Sequence, residues 1–210
     1  MRFYKMPSLL QSLFPQVLWR LPDTSNTIYL TFDDGPIPEI TEFVTAQLKQ
    51  YQAKATFFCV GDNLKKHPEI AHRVMEEGHL LSNHTFNHLS GWRTPLPDYL
   101  HNVELCQQQL NALSDNNEKL LFRPPYGQIR PAQAAALQKQ KYQVVMWDVL
   151  TYDFDQKLLP EVCLLNSIAQ TTSGSVVVFH DSLKAARNMQ YVLPRFLDHF
   201  SEKGYKFKTL

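Results

Sequence analysis

The chain has 210 residues, enough for one domain with a substantial core, and its 44% hydrophobic and 20% charged residues are ordinary for a globular protein. Lys+Arg 21 against Asp+Glu 20 leaves a net charge of +1 with no long like-charge run, which argues against nucleic acid or an anionic membrane as partner. Three widely spaced cysteines, Cys59, Cys106 and Cys163, form neither a disulfide framework nor a Cys-x-x-Cys pair, and reduced thiols suit a cytoplasmic location, with export left open.

The first segment, Met1 to Arg20, has apolar character (Leu9, Leu10, Leu13, Phe14, Val17, Leu18, Trp19) broken by Pro7, Gln11, Pro15 and Gln16. It lacks a sustained apolar run and a small-x-small cleavage site, and it is too short to span a membrane. Residues 1–26 are therefore expected to be an extension packing on one domain that occupies 1–210. Thr27 to Phe32 (TIYLTF) reads as a strand of β-formers. Pro38 to Tyr51 reads as a helix with Ile40, Phe43, Val44 and Leu48 on one face. Ala55 to Val60 is a buried strand, Pro68 to Glu77 a helix closed by Gly78, and His79 to Asn83 a third strand. Pro97 to Leu113 is helical, Leu120 to Arg123 a brief strand stopped by Pro124-Pro125, and Pro131 to Lys141 a helix with proline at its start. Gln143 to Trp147 and Ser175 to His180 are further buried strands. Helices around Leu158 to Ala169 and Met189 to Glu202 flank the latter, and a short strand follows Gly204. Strand and helix alternating six or seven times define an α/β fold with a parallel sheet covered by helices. Periodicity leaves two options, a doubly wound open sheet or a (β/α) barrel, closed or incomplete.

The polar residues able to do chemistry cluster at the C-terminal ends of these strands, the edge at which parallel α/β folds build their sites. Asp33 and Asp34 follow TIYLTF, His84 and His88 follow HLLSN, Arg123 ends LLF, Asp148 follows QVVMW, and His180 ends SVVVF. Adjacent carboxylates at a strand end point in different directions, so one can hold a metal while the other faces substrate. His84 and His88 stand at i, i+4, which on a helical turn puts both imidazoles on one face. With an upstream aspartate they make two histidines and one carboxylate, a set that leaves coordination positions open for water and substrate. Arg123 can pair with Asp33 and keep it ionised. Asp148 is expected to accept from the His180 imidazole, fixing its tautomer and making it a proton donor. Trp92, in Gly91-Trp92-Arg93, could stack on a sugar ring or simply pack against a loop.

The chain resembles the polysaccharide deacetylases, the NodB homology domain of carbohydrate esterase family four. TFDDGP is intact as Thr31 to Pro36; H-[ST]-x-x-H is His84, Thr85 and His88; R-x-P-Y is Arg123, Pro125 and Tyr126. The fourth motif, D-x-x-S-x-D-W, is altered to Asp148, Thr151, Asp153 and Phe154, and the fifth, L-x-H, to Val178 and His180. The resemblance implies a distorted, incomplete (β/α) barrel. It also implies one divalent ion on Asp34, His84 and His88, usually Zn2+, with Co2+, Ni2+, Mn2+ or Fe2+ as substitutes. It implies Asp33 as general base held by Arg123, the Tyr126 N–H as oxyanion donor, and His180 as general acid with Asp148 behind it. The implied activity is removal of acetyl groups from an N-acetylated glycan or amino sugar. O-acetyl ester or cyclic imide hydrolysis, and a non-catalytic carbohydrate-binding relic, are the alternatives on the same fold. Oligomeric state is left open.

Overall fold

The computed structural model describes residues 2–22, 25–113 and 120–210, so Met1, Asp23 and Thr24 of the expected extension lie outside it. Eight strands carry the fold: β1 (Thr27–Asp33), β2 (Ala55–Cys59), β3 (Leu80–Asn83), β4 (Leu121–Phe122), β5 (Gln143–Val144), β6 (Val149–Leu150), β7 (Val176–His180) and β8 (Lys206–Phe207). Seven lie in the order β5-β4-β3-β2-β1-β7-β6, and β8 pairs with the start of β1. Every pairing is parallel. The sheet curls into an incomplete (β/α) barrel whose seam lies between its two end strands, β5 and β6.

β1 is an inner strand paired with β2, β7 and β8, and all seven of its residues are buried. A strand covered on both faces reads as a near-continuous run of β-formers, which explains why TIYLTF shows no polar-apolar alternation. Phe32 stacks between Phe57 of β2 and Phe179 of β7, at ring distances of 5.1 and 5.7 Å. The covering helices are α2 (Ile40–Gln50), α3 (Gly61–Lys66), α4 (Pro68–Glu76), α5 (Leu96–Leu113), α6 (Pro131–Lys139), α7 (Pro160–Gln170) and α8 (Ala186–Glu202). α8 contributes Met189, Val192, Leu193, Phe196, Leu197 and Phe200 to the core, the i, i+3, i+4 spacing of one buried face. The six-residue helix α1 (Ser8–Leu13) buries none of its side chains.

The N-terminal segment lies across the seam. Leu18 bridges Val145 beside β5, Lys5 bridges Val149 of β6, and Arg20 bridges Ser175 before β7. The Leu18 N–H donates to the Val144 carbonyl at 2.9 Å, and the Met146 N–H donates to the Leu18 carbonyl at 2.8 Å. Backbone groups that an open sheet would leave unpaired at its edges are satisfied this way.

One expected strand is shorter than read, and β6 and α3 are additional. The strand read over Gln143 to Trp147 stops at Val144, and a separate strand, β6, begins two residues after Trp147. α3 was not expected, because a six-residue stretch with Leu64 as its one buried large apolar side chain carries no periodic signal. Among the described residues no helix is long and apolar enough to cross a membrane.

Candidate active site

The C-terminal rim of the barrel surrounds a cavity of about 590 Å³. Asp33, Asp34, His84, His88, Tyr126 and His180 line it, together with an apolar wall of Ile37, Trp147, Leu150, Phe154, Val178 and Leu183. Parallel register puts its chemistry in one plane: Asp33 is level with Phe58 on one side and with His180 on the other.

The chain leaves β1 into a sharp turn. Asp34 has φ +89°, and the next two residues, Gly35-Pro36, are joined by a cis peptide. Gly35 is required here, because a Cβ would run into the Asp181 carboxylate, which lies against its backbone. Asp181 accepts from the Gly35 N–H at 3.0 Å and from the Thr41 hydroxyl at 2.6 Å. Burial pushes its carboxyl up to about 8, against the pull of the Thr41 bond. Asn63 of α3 donates from Nδ2 to the Asp34 carbonyl at 2.8 Å. Asp181 and Asn63 are the residues that sequence reasoning missed here. Asp181 directly follows His180, and Asn63 stands in a segment without pattern.

His84 and His88 do not share a helical turn. They follow β3 on an irregular loop in which Thr85 and His88 both have positive φ, +63° and +55°. The loop is held by α5: the Phe86 and Asn87 N–H groups both donate to Asn102 Oδ1 at 2.9 Å, and Asn102 Nδ2 donates to Asn87 Oδ1. The Leu89 N–H donates to Thr85 Oγ1 at 3.0 Å. Backbone held in sparsely populated regions costs roughly 1–3 kcal/mol per residue, so this loop shape persists only because α5 imposes it.

The loop aims both imidazoles at Asp34. His84 Nε2 is 3.9 Å and His88 Nε2 3.2 Å from Asp34 Oδ1, and one ligand atom from each residue lies within 4.8 Å of the others. His84 Nδ1 is 2.7 Å from the Arg123 carbonyl, which can only accept, so the ring donates there and presents an Nε2 lone pair to the cavity. Burial lowers His84 to about 4, so it is neutral at physiological pH. Burial would raise Asp34, but the hydrogen bond from His88 and the charge of His180 hold its carboxyl well below the usual range. Two neutral-capable nitrogens and an ionised oxygen converging on one point are the donor set for a divalent cation such as Zn2+, and these three residues fit it.

Asp33 belongs to a second system. Arg123, fully buried after β4, donates from one terminal nitrogen to Asp33 Oδ1 and to Thr31 Oγ1, both at 2.7 Å, and from the other to the Met146 carbonyl at 2.8 Å. Its guanidinium lies 4.1 Å from the centre of the Phe58 ring. A buried cation bound through both terminal nitrogens fixes the carboxylate that faces it. Tyr126, on the 3₁₀ turn after β4, has φ +60°, and its hydroxyl is 3.1 Å from His88 Nδ1.

The structure corrects the partner of His180. Asp153, not Asp148, holds it: Asp153 Oδ1 is 2.7 Å from His180 Nδ1, and Asp153 Oδ2 accepts the His180 backbone N–H at 2.7 Å. Asp148 is equally buried but binds Ser175 Oγ at 2.6 Å, Lys5 Nζ at 3.3 Å and Gln11 Nε2 at 3.3 Å. Register explains the difference. Val149 and Leu150 pair with Val177 and Val178, so Asp148 sits level with Val176, at the far end of β7 from His180. Four residues of strand separate them, about 13 Å. Burial alone would lower His180, but Asp153, with Asp34 and Asp33 behind it, raises it to about 9. Trp92 is 58% exposed and does not line the cavity.

A family model for polysaccharide deacetylases matches residues 20–145. A peptidoglycan-N-acetylglucosamine deacetylase of Bacillus cereus is 32% identical over 199 residues, covering 92% of this chain and 91% of that protein. A chitooligosaccharide deacetylase of Azorhizobium caulinodans is 29% identical over 163 residues, 77% of each. The crystal structure of the Bc1960 peptidoglycan N-acetylglucosamine deacetylase in complex with a hydroxamate (4-naphthalen-1-yl-N-oxidanyl-benzamide) superposes with a TM-score of 0.89 at 29% identity, covering 98% of this chain and 95% of that one. The fold and its rim are those of a carbohydrate-active hydrolase domain. The chain belongs to the polysaccharide deacetylase family, and it is an enzyme of that family.

Proposed function

We propose that this enzyme removes the N-acetyl group from an acetamido sugar in a peptidoglycan-like or chitooligosaccharide-like glycan, releasing acetate and a free amine. The observation that carries the proposal is the pairing of two separate systems in one cavity: a metal-ready trio, Asp34, His84 and His88, beside an Arg123-bound Asp33 and an Asp153-bound His180. A divalent cation on the trio, with zinc the first choice for such donors, would supply Lewis-acid polarisation of the acetyl carbonyl and acidify a water.

The chain's own residues do the rest. Asp33, its Oδ1 anchored by Arg123, takes a proton from the attacking water as general base. The Tyr126 N–H donates to the developing oxyanion. His180 is protonated at neutral pH and delivers its Nε2 proton to the departing sugar nitrogen, with Asp153 stabilising the cation and fixing the tautomer. The Phe154 ring stands edge-on 5.0 Å from His180, part of the wall that shields this proton from bulk water. An acid kept protonated at neutral pH and held in place favours an amide over an ester, because an amine leaves poorly without a proton whereas an alkoxide at an ester is the easier leaving group.

The test is hydrolysis of N-acetylglucosamine oligomers by the zinc-loaded protein, read as acetate released against free amine formed. Equal acetate and amine, abolished by a chelator and restored by zinc, is the expected result. Acetate from acetylxylan with no amine from the oligomers would overturn the amide assignment.

A further inference from the structure

Resting on that reading, we infer that the segment Arg2 to Met6 is a positioning element for the proton donor, acting through the loop that carries Asp153. The loop runs from Asp148 to Asp155, and this strand-like segment grips it at nearly every step. The Met6 N–H donates to the Asp148 carbonyl at 2.8 Å, and the Leu150 N–H donates to the Tyr4 carbonyl at 2.9 Å. The Phe3 N–H donates to the Tyr152 hydroxyl at 3.0 Å, and the Tyr4 and Tyr152 rings meet edge-on at 4.9 Å. Arg2 donates from Nε to Asp155 Oδ2 at 3.0 Å. Lys5 Nζ reaches the Asp148 carboxylate and the Gln170 carbonyl.

These contacts bracket Asp153 on both sides, at Tyr152 and at Asp155, and do not touch it. Apart from this segment, the loop backbone is held by Asn188 of α8, whose Nδ2 donates to the Asp153 and Asp155 carbonyls at 3.1 Å. Tyr152 has φ +60°, and β6 is only two residues long, so the sheet ladder ends before the aspartate that must stay within 2.7 Å of His180. The Arg2–Asp155 pair is solvent-exposed and is weak by itself. Its effect comes from acting together with the other contacts along one short segment. A proton donor displaced by a fraction of an ångström loses turnover while metal binding and substrate binding persist.

The experiment compares the wild type with Arg2→Ala/Tyr152→Phe on two substrates. An N-acetylated sugar requires protonation of its leaving nitrogen, whereas 4-nitrophenyl acetate does not. The double variant is expected to lose about ten-fold in kcat on the acetamide, a fraction of the roughly 10²–10⁴ a general acid contributes. KM and the aryl acetate rate should stay within about two-fold, and Arg2→Lys with Tyr152 intact should keep most of the wild-type rate. A fall in step on both substrates means general destabilisation and overturns the inference, as does no loss on either. Hydrogen exchange of the 149–155 amides supplies a readout free of catalysis: faster exchange in the variant supports the strap, and unchanged exchange overturns it. If the wild type hydrolyses neither substrate, the deacetylase reading fails, and the exchange measurement still decides for or against the strap.

Discussion

At the scale of single residues, the site separates by what each carboxylate touches. Asp33 and Asp34 are neighbours in sequence, yet one is bound to a buried guanidinium and the other faces two imidazoles. Asp33→Asn should therefore retain zinc affinity, measured by competition with a chromophoric chelator, while turnover falls by about 10²–10⁴. The two aspartates of the altered fourth motif should separate as well. His180 is raised to about 9, so acetamide turnover should hold through neutral pH and fall as the imidazole loses its proton near that value. Asp153→Asn removes the main raising charge, so the alkaline limb should move toward the ordinary histidine value of about 6.5. Asp148→Asn should leave the limb near 9 and instead lower thermal stability by about 1–3 kcal/mol, through loss of its buried bonds to Lys5 and Ser175. A pH profile that moves with Asp148 and not with Asp153 would reverse this assignment.

At the scale of elements, the reactive loops owe their shapes to neighbours outside the motifs. α5 dictates the histidine loop through Asn102. α3 supports the aspartate turn through Asn63, and its own first residue fits only because it lacks a side chain: a Cβ on Gly61 would meet Phe86 and the backbone of Cys106. Gly35 packs its Cα on the Asp181 carboxylate, so Gly35→Ala must move either the turn or the acid. The expected cost is about 1–3 kcal/mol of stability, with metal affinity reduced as well because Asp34 moves with the turn. Paired urea melts and zinc titrations would show it; unchanged zinc affinity would mean that the turn is not what orients Asp34.

At the scale of the whole molecule, the barrel is open between β5 and β6, and residues 5–20 span the gap by backbone pairing on both sides. The metal-ready trio draws on segments following β1 and β3, so an ion there would tie two βα units together. Zinc at about 100 times its dissociation constant should raise Tm by about 5–10 °C, from a linkage energy near 2.7 kcal/mol in a domain of this size. A calorimetric scan of His84→Ala with the same zinc should show almost none of that rise.

The sequence by itself determined most of the residue types that meet at the rim, because strand ends in a parallel α/β fold all face one edge; of the five runs of β-formers followed by ionisable side chains, only the one before Asp148 failed to deliver its residue there. It determined most of the strands and helix faces and the resemblance to a deacetylase as well, since these are properties of local order along the chain. Only the tertiary structure decided which carboxylate serves His180: Asp148 and Asp153 are both buried and five positions apart, and the choice depends on the register of β6 against β7. Only it decided that the histidine pair converges through a loop with left-handed residues, and that the N-terminal segment closes the seam. Register and long-range hydrogen bonds are relations between distant segments, and no local pattern encodes the distance between them.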